Sequence, residues 1–195
     1  MIGVDVGGTN LLVGIIEDGV VVKRHHEPIV AKSDFEQVAN QICTSIQDIS
    51  TSSIESIGIS VAGSVDVSTG VVLRAQNLDW DNAPLAEFVS NKVGCKVVIE
   101  NDVTSAAWGE CNYGAGRGSE SMFAVWVGTG IGGGLILQNT IWRGPLGTGG
   151  EFGMGISEYN PNANARVLEA LASRSGYRTL LNFPELSTAD LVDAY

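Results

Sequence analysis

The stretch Ile2–Ile16 reads IGVDVGGTNLLVGII and contains two apolar runs separated by a short turn. The runs Ile2–Val6 and Leu11–Ile16 predict two adjacent strands, and Gly7, Gly8 and Thr9 lie between them. Glycine lets backbone N–H groups converge on a phosphate without side-chain obstruction, and a threonine hydroxyl adds a donor. Residues 7–9, the first glycine turn, are therefore predicted to bind phosphate. The alternative is a plain β-hairpin.

Asp5 lies near the end of the first predicted strand, close to this turn. In proteins Mg²⁺ keeps most of its water ligands and is bound by few carboxylates. The position of Asp5 therefore predicts a carboxylate that holds Mg²⁺ through water.

The same pattern occurs a second time in the chain. The apolar run Met122–Val127 is followed by Gly128, Thr129 and Gly130 and then by a second apolar run, Ile131–Leu137. A run this rich in glycine can be mistaken for a dinucleotide-binding fingerprint, but that motif requires a helix to follow. Here a strand is predicted to follow, which excludes the Rossmann interpretation. Two such hairpins indicate an internal repeat with a function. Residues 128–130 are the second glycine turn.

The rest of the chain predicts alternating strands and helices. The further strands are Val20–Ala31, Ile54–Val61 and Val97–Ile99, and the helices are Pro84–Asn91, Val103–Asn112, Arg166–Leu181 and Ala189–Tyr195. Another helix, ending at Ile49, is predicted to begin after Ser33, with Glu36 as the reciprocal partner of a capping box. The pattern predicts an α/β fold.

A boundary between two lobes is predicted in segment 113–121, which contains three glycines. The N-terminal lobe would then comprise residues 1–115 and the C-terminal lobe residues 116–195.

Composition narrows the class of function. The net charge is −11 and no basic cluster interrupts it, so a nucleic-acid groove, which requires concentrated positive charge, is not expected. Because no apolar run approaches the length of a membrane span and the N-terminal residues do not resemble a signal peptide, we expect a cytoplasmic protein without a membrane partner. The three cysteines lack C-x-x-C spacing and are expected to be free thiols.

Short motifs along Ile2–Gly176 give a more specific indication. In chain order they are Asp5-Val6-Gly7-Gly8-Thr9, Gly58-Ile59-Ser60-Val61-Ala62-Gly63-Ser64-Val65-Asp66, Asn77-Leu78-Asp79-Trp80, Glu100-Asn101-Asp102, Gly128-Thr129-Gly130, Gly150-Glu151-Phe152-Gly153 and Leu168-Glu169-Ala170. This combination resembles the ROK family (repressors, uncharacterised frames and kinases), which includes bacterial glucokinases and N-acetylhexosamine kinases.

The resemblance implies a two-lobed, actin-like ATPase (ribonuclease H-like) fold and the ATP-dependent phosphorylation of a hexose of glucose or N-acetylhexosamine type, at its 6-hydroxyl. It implies that ATP phosphates lie between the two glycine turns, with Mg²⁺ as cofactor and Asp102 as the catalytic base. The residues implied to hold the sugar are Gly63, Asn77, Asn101, Asp102, Glu151 and Glu169. A homodimer is common among such kinases, although this sequence does not determine its oligomeric state.

Phosphoryl transfer depends mainly on positioning and charge neutralisation, with one group to accept the proton of the attacking hydroxyl. Asp102 is predicted to follow a strand and begin a helix, and the helix N-terminus is expected to favour its ionised form. The alternative is that Asp102 is an ordinary helix N-cap. For Glu151 and Glu169 the alternative is that both are solvated charges.

The sequence departs from the family pattern after the Gly-Glu-x-Gly segment. The resemblance implies a zinc site of one histidine and three cysteines there, but the matching positions are Met154, Asn160, Asn162 and Val167. Zinc requires thiolate or imidazole donors, so no zinc is expected. Met154 also removes a hydrogen bond that the family's histidine makes to the sugar.

A second departure is length, because the resemblance implies further helices and a second lobe that residues 116–195 leave incomplete. The alternative function is a non-catalytic sugar-binding regulator of the same family. Regulators carry a helix-turn-helix segment before the first glycine turn, for which the residues before Asp5 leave no room. A chaperone-like or cytoskeletal ATPase is a third interpretation, disfavoured by the resemblance of Asn77 to Trp80 and Glu100 to Asp102 to sugar-site segments.

Overall fold

A computed structural model describes residues 1–30, 34–50, 53–145, 147–159 and 165–182. The chain divides into two compact units, Met1–Ser105 and Ala106–Tyr195. This division falls inside a helix, before the segment 113–121 in which the sequence predicts a boundary. The lobe limits 1–115 and 116–195 stay predictions.

The first unit contains eight strands and two helices within its described residues, and a third helix begins near its end. In chain order they are β1 (Ile2–Val6), β2 (Asn10–Glu17), β3 (Val20–Pro28), α1 (Phe35–Ile49), β4 (Ser56–Val61), β5 (Ser64–Asp66), β6 (Val71–Ala75), β7 (Trp80–Ala83), α2 (Leu85–Val93), β8 (Lys96–Asn101) and α3 (Asp102–Tyr113). The main sheet has the order β3-β2-β1-β4-β8. Strands β1, β2 and β3 are antiparallel, whereas β1, β4 and β8 are parallel.

The apolar periodicity of the sequence accounts for the core of this unit. Alternate residues of β1 and β4 are buried, and they share one hydrophobic core with the apolar face of α1, whose buried residues are spaced by three and four. Helix α1 does not begin with the predicted Ser33–Glu36 box. Ser33 lies outside the described residues, and the N-cap is Asp34, whose carboxylate accepts a hydrogen bond from the Gln37 backbone N–H at 3.1 Å. The predicted cap is therefore wrong by one residue.

A small antiparallel sheet of β5, β6 and β7 follows β4. Strand β7 is absent from the sequence prediction because Trp80–Ala83 contains two polar residues and no clear alternation. The turn between β6 and β7 holds Asn77 and is closed by a hydrogen bond from the Leu78 N–H to the Ala75 carbonyl at 3.1 Å. This sheet therefore determines where Asn77 lies.

The second unit contains the remainder of α3 and a sheet of order β11-β10-β9. Its other elements are β9 (Met122–Val127), β10 (Ile131–Leu137), β11 (Thr140–Ile141), a 3₁₀ turn (Phe152–Met154), β12 (Ile156–Glu158), β13 (Arg166–Val167), α4 (Leu168–Ala172) and α5 (Arg174–Leu181). The predicted β9–β10 hairpin is confirmed. The predicted helix Ala189–Tyr195 lies outside the described residues.

The predicted single helix Arg166–Leu181 is wrong. Residues 166–167 form a strand, and the remainder is divided into α4 and α5 at Ser173. Ser173 has extended backbone angles, and its hydroxyl accepts a hydrogen bond from the Gly176 N–H at 3.0 Å. The extended backbone of Ser173 ends α4, and its side chain satisfies an N–H in the first turn of α5, so the same residue ends one helix and begins the next.

The glycines of segment 149–153 let this segment pack directly on strand β10. A Cβ atom on Gly153 would lie 2.1 Å from the Ile131 carbonyl oxygen, and one on Gly150 (φ +102°) would lie 2.5 Å from that of Gly133. These glycines therefore bring backbone against backbone, which is a different reason for glycine than approach to a ligand. No helix among the described residues is both long and apolar enough to cross a membrane.

Candidate functional site

The carboxyl ends of β1, β4 and β8 lie side by side in the first unit. Val6 is in register with Val61, and Val61 with Asn101. Because the three strands are parallel, the residues that follow them emerge at one edge of the sheet. Three sequence-predicted site features therefore leave the sheet together: the first glycine turn, Gly63 and Asp102.

The first glycine turn is held by its own hairpin. The Gly7 N–H donates to the Asn10 carbonyl at 3.0 Å, and the Asn10 side chain donates to the Thr9 hydroxyl at 3.0 Å. A Cβ atom on Gly8 would lie 2.8 Å from the Cβ of Asn77. The turn thus lies against Asn77, which the resemblance implied to be a sugar-site residue.

Asn101 connects three parts of this edge. Its side-chain N–H₂ donates to the Gly63 carbonyl at 3.1 Å and to the Asp102 carboxylate at 2.9 Å. Its side-chain oxygen accepts from the Thr104 N–H at 2.9 Å. This last bond makes Asn101 the N-cap of α3. The alternative interpretation of Asp102 as an ordinary N-cap is therefore wrong, because its neighbour fills that role.

Asp102 is partly buried, and its surroundings shift its pKa. Burial raises the pKa of Asp102, the backbone N–H of Val103 lowers it, and the negative charge of Asp5 raises it again. The net pKa is above the ordinary value of an aspartate. The N–H groups at the start of α3 favour the ionised form, as expected, but the effect of burial on the pKa is larger.

Asp5 lies at the same edge with an exposed side chain, and its Oδ1 accepts a hydrogen bond from the Ser60 hydroxyl at 2.7 Å. No cluster of three or more His, Cys, Asp or Glu residues suited to a metal occurs among the described residues. Mg²⁺ does not need such a cluster, since one or two carboxylates with water and phosphate oxygens suffice. The exposed carboxylate of Asp5, in the field of a second carboxylate, fits this donor chemistry.

The second glycine turn is held by residues from the α4–α5 junction. The Gly128 N–H donates to the Gly130 carbonyl at 2.8 Å, and the Arg174 N–H donates to the Gly128 carbonyl at 2.9 Å. The Arg174 guanidinium also donates to the Thr129 hydroxyl. Arg174 is not recognisable from the sequence, because the predicted continuous helix over 166–181 places it in a helix interior.

Glu169 lies at the other end of the same turn. Its Oε2 accepts a hydrogen bond from the Ile131 N–H at 2.8 Å, and a Cβ atom on Gly130 would lie 2.4 Å from that oxygen. The alternative interpretation of Glu169 as a solvated charge is therefore wrong. Glu151 is exposed and immediately precedes the 3₁₀ turn, against which α4 packs. Its predicted role in sugar binding stays a prediction.

The residues at the positions that match the family's zinc ligands include no thiolate or imidazole. Met154 is 58% exposed, and Asn160 and Asn162 lie outside the described residues. Cys43 and Cys111 are buried, Cys95 is half-buried, and all three are free, as predicted. Burial raises the pKa of the Cys43 and Cys95 thiols, which disfavours their thiolate form. That the protein lacks zinc stays a prediction.

Known structures identify the class of fold. The ROK family glucokinase from Streptomyces griseus, solved in complex with glucose and AMPPNP, matches with a TM-score of 0.78 and 33% identity over 95% of this chain and 62% of that one. The chain is thus an α/β protein with the actin-like ATPase fold, as predicted. The ROK family model matches residues 1–180, and the chain belongs to the ROK family.

Relatives in sequence include both kinases and repressors. The glucokinase of Streptomyces coelicolor is 38% identical over 154 residues, which cover 78% of this chain and 48% of the relative. A putative xylose repressor of Caldicellulosiruptor sp. is 34% identical over 129 residues, which cover 64% of this chain and 32% of the relative. The chain thus spans about half the length of this glucokinase relative.

Proposed function

We propose that this protein is an ATP-dependent sugar kinase, whose substrate is a hexose of glucose or N-acetylhexosamine type and whose acceptor is the 6-hydroxyl. The observation that carries the proposal is Asp102, a partly buried carboxylate with a raised pKa at the carboxyl edge of a parallel sheet. Asn101, and not Asp102, caps helix α3. Asp102 also contacts Asn101, a residue of the motifs that match the family's sugar site.

Asp102 is proposed to act as the general base. Its carboxylate accepts the proton of the sugar hydroxyl, the hydroxyl oxygen forms a bond to the γ-phosphorus of ATP, and the bond from that phosphorus to the β,γ-bridging oxygen breaks to release ADP. A raised pKa makes the carboxylate a stronger base toward the departing proton than an exposed aspartate. Asn101 keeps the carboxylate oriented through its 2.9 Å hydrogen bond.

The sugar hydroxyls are proposed to contact Asn77, Asn101 and Asp102 in the first unit, near Gly63. Glu151 and Glu169 are proposed to do so from the second unit. The S. griseus relative, whose structure contains glucose and AMPPNP, supports this class of substrate and ATP as the phosphoryl donor. A cytoplasmic location and a homodimeric state belong to the same proposal by analogy with the family.

The two glycine turns are proposed to hold the ATP phosphates through backbone N–H groups and the hydroxyls of Thr9 and Thr129. Asp5 is proposed to hold Mg²⁺ through water, and the cation would neutralise charge on the phosphates. The hydrogen bond from the Ser60 hydroxyl holds the Asp5 carboxylate in one orientation.

The substitution Asp102→Asn tests the base assignment. It keeps the size of the side chain but removes the proton acceptor, so turnover is expected to fall by about 10²- to 10⁴-fold while sugar affinity changes little. ADP release is measured with MgATP and a panel of hexoses and N-acetylhexosamines, and sugar affinity by calorimetry. The matched control is Asp81→Asn, which removes an exposed carboxylate 3.8 Å from Arg74 in the same unit. Turnover that survives in Asp102→Asn would refute the assignment of Asp102 as the general base.

A non-catalytic, sugar-binding regulator is the second candidate, because a putative xylose repressor is among the similar proteins. The same panel separates the two functions. A kinase releases ADP in proportion to phosphorylated sugar, whereas a regulator binds the sugar and releases none. Sugar binding without ADP release by the full-length protein would favour the regulator.

A further inference from the structure

Arg174 is placed by the structure where no sequence motif puts a functional residue. It is the first residue of α5, and its backbone N–H donates to the Gly128 carbonyl at 2.9 Å. The next N–H, of Ser175, donates to the Thr129 carbonyl at 3.4 Å. The guanidinium donates to the Thr129 hydroxyl. One residue thus contacts the second glycine turn with both its backbone and its positive charge.

A carboxylate lies beside the second glycine turn, so a cation at this turn would favour phosphate binding. The carboxylate of Glu169 accepts a hydrogen bond from the Ile131 N–H at 2.8 Å and lies immediately beside Gly130. A carboxylate at a phosphate-binding turn repels an anionic ligand, and the whole chain carries a net charge of −11. The guanidinium of Arg174 places a positive charge at the adjacent residue and offsets this repulsion.

In the contact between Arg174 and Thr129, the guanidinium is the donor and the hydroxyl oxygen is the acceptor. A hydroxyl can accept one hydrogen bond and still donate its own hydrogen. With its oxygen engaged by Arg174, the Thr129 hydroxyl can still donate its own hydrogen to an acceptor such as a phosphate oxygen. Arginine donors are arranged in a planar fork that suits phosphate oxygens. A phosphate oxygen can therefore be bound by the hydroxyl and the guanidinium together.

We infer that Arg174 is a phosphate-binding residue of the nucleotide site, which binds the phosphate chain directly and orients the Thr129 hydroxyl toward it. The inference rests on the proposed function, in which the second glycine turn binds ATP. With Arg174, the second glycine turn offers a phosphate a positively charged side chain in addition to backbone N–H groups and the Thr129 hydroxyl.

The test compares the affinities of AMP, ADP and ATP for the full-length protein and its Arg174→Gln variant by calorimetry in MgCl₂. Hydrogen bonds to charged groups are strong enough that ATP affinity is expected to fall about ten- to a hundred-fold. The loss is expected to grow from AMP to ADP to ATP, because the attraction of a cation scales with phosphate charge. Arg174→Lys, which keeps the charge, is expected to recover part of the ATP affinity.

The matched control is Arg166→Gln, which removes a positive charge from the same unit at an exposed ion pair with Glu158, 3.1 Å away. It is expected to leave the three affinities unchanged. Equal losses for all three nucleotides in Arg174→Gln would indicate a purely structural role and would overturn the inference. ATP affinity within about twofold of the unmodified protein would also overturn it.

The variant Thr129→Val gives a second, independent measurement. If Arg174 acts partly through this hydroxyl, the two substitutions are expected to be non-additive in ATP affinity. Full additivity would overturn the orienting role. Failure of the unmodified protein to bind any adenine nucleotide would refute the proposed function and this inference together, whereas normal ATP binding by both Arg174→Gln and Arg174→Lys refutes the inference alone.

Discussion

The two glycine turns have nearly the same sequence pattern but are supported in different ways. The first turn is closed by bonds within its own hairpin and packs against Asn77. The second turn is held from the α4–α5 junction, with Arg174 at Thr129 and Glu169 at Ile131. The first therefore depends on close packing near the backbone, and the second on charged side chains that a single substitution can displace.

Alanine at the two turns should separate these kinds of support, and this is the largest effect that the comparison predicts. In Gly8→Ala the new Cβ would lie 2.8 Å from the Asn77 Cβ, close to a backbone that cannot easily move. The free energy of unfolding is expected to fall by about 1–3 kcal/mol. In Gly130→Ala the contact is with the tip of the Glu169 side chain, and a loss of about 1 kcal/mol is expected.

Urea unfolding of the two variants measures the difference. Gly128→Ala is the matched control, because a Cβ there meets no described atom within 4 Å. A larger loss in Gly130→Ala than in Gly8→Ala would contradict the comparison.

Substitution of Glu169 tests whether the second turn depends on a side-chain acceptor. Glu169→Ala removes the acceptor of the Ile131 N–H, whereas Glu169→Gln retains an oxygen that can accept it. ATP affinity without sugar is expected to fall several-fold in the alanine variant, by about 1 kcal/mol, because the turn loses its acceptor. The glutamine variant keeps an acceptor and removes the negative charge, so it is expected to bind ATP at least as tightly as the unmodified protein. Equal ATP affinities in both variants and the unmodified protein would show that Glu169 does not support the turn.

The carboxylates of Asp5 and Asp102 lead us to expect that turnover depends on pH. Because burial and the charge of Asp5 raise the pKa of Asp102, turnover should be lost as the pH falls through a value above that of an ordinary aspartate. Asp5→Asn removes the nearby negative charge, which lowers the pKa of Asp102 and moves the acid limb of the pH–rate profile to lower pH. An acid limb that does not move would show that Asp5 does not influence the base.

The smallest effect concerns stability. A carboxyl group whose pKa is raised on folding favours the folded state fully below its unfolded pKa, and this contribution is lost as the pH rises through its folded pKa. At neutral pH the ionised Asp102 therefore opposes folding. Asp102→Asn is expected to raise the Tm at neutral pH and to have less effect in acid, as measured by thermal unfolding at several pH values. A lower Tm at neutral pH would contradict the burial cost.

Much of the fold could be predicted from local pattern. The hairpins flanking both glycine turns and the strand that ends at Asn101 follow apolar runs that the structure confirms. The division of 166–181 at Ser173 could not be predicted, because residues on both sides have helical periodicity and the break depends on a side-chain hydrogen bond to Gly176. For the same reason the position of Arg174 was not predictable.

The candidate site divides in a similar way. Asp5 was recognisable from its place near the end of a strand, and Asn101 and Asp102 from a motif that resembles the family's. Which of them caps helix α3 was not, since asparagine and aspartate are both good N-caps. The structure assigns the cap to Asn101 through its bond with the Thr104 N–H.

The sequence by itself determined the family, through motifs that resemble those of its members. It also determined the α/β class and the two glycine turns, because strand periodicity and turn composition are local properties of a chain. Tertiary structure alone decided the environment of Asp102, the partners of Glu169 and the contact of Arg174 with Thr129. Burial and pairing depend on residues distant in sequence, and these become neighbours only when the strands and helices pack.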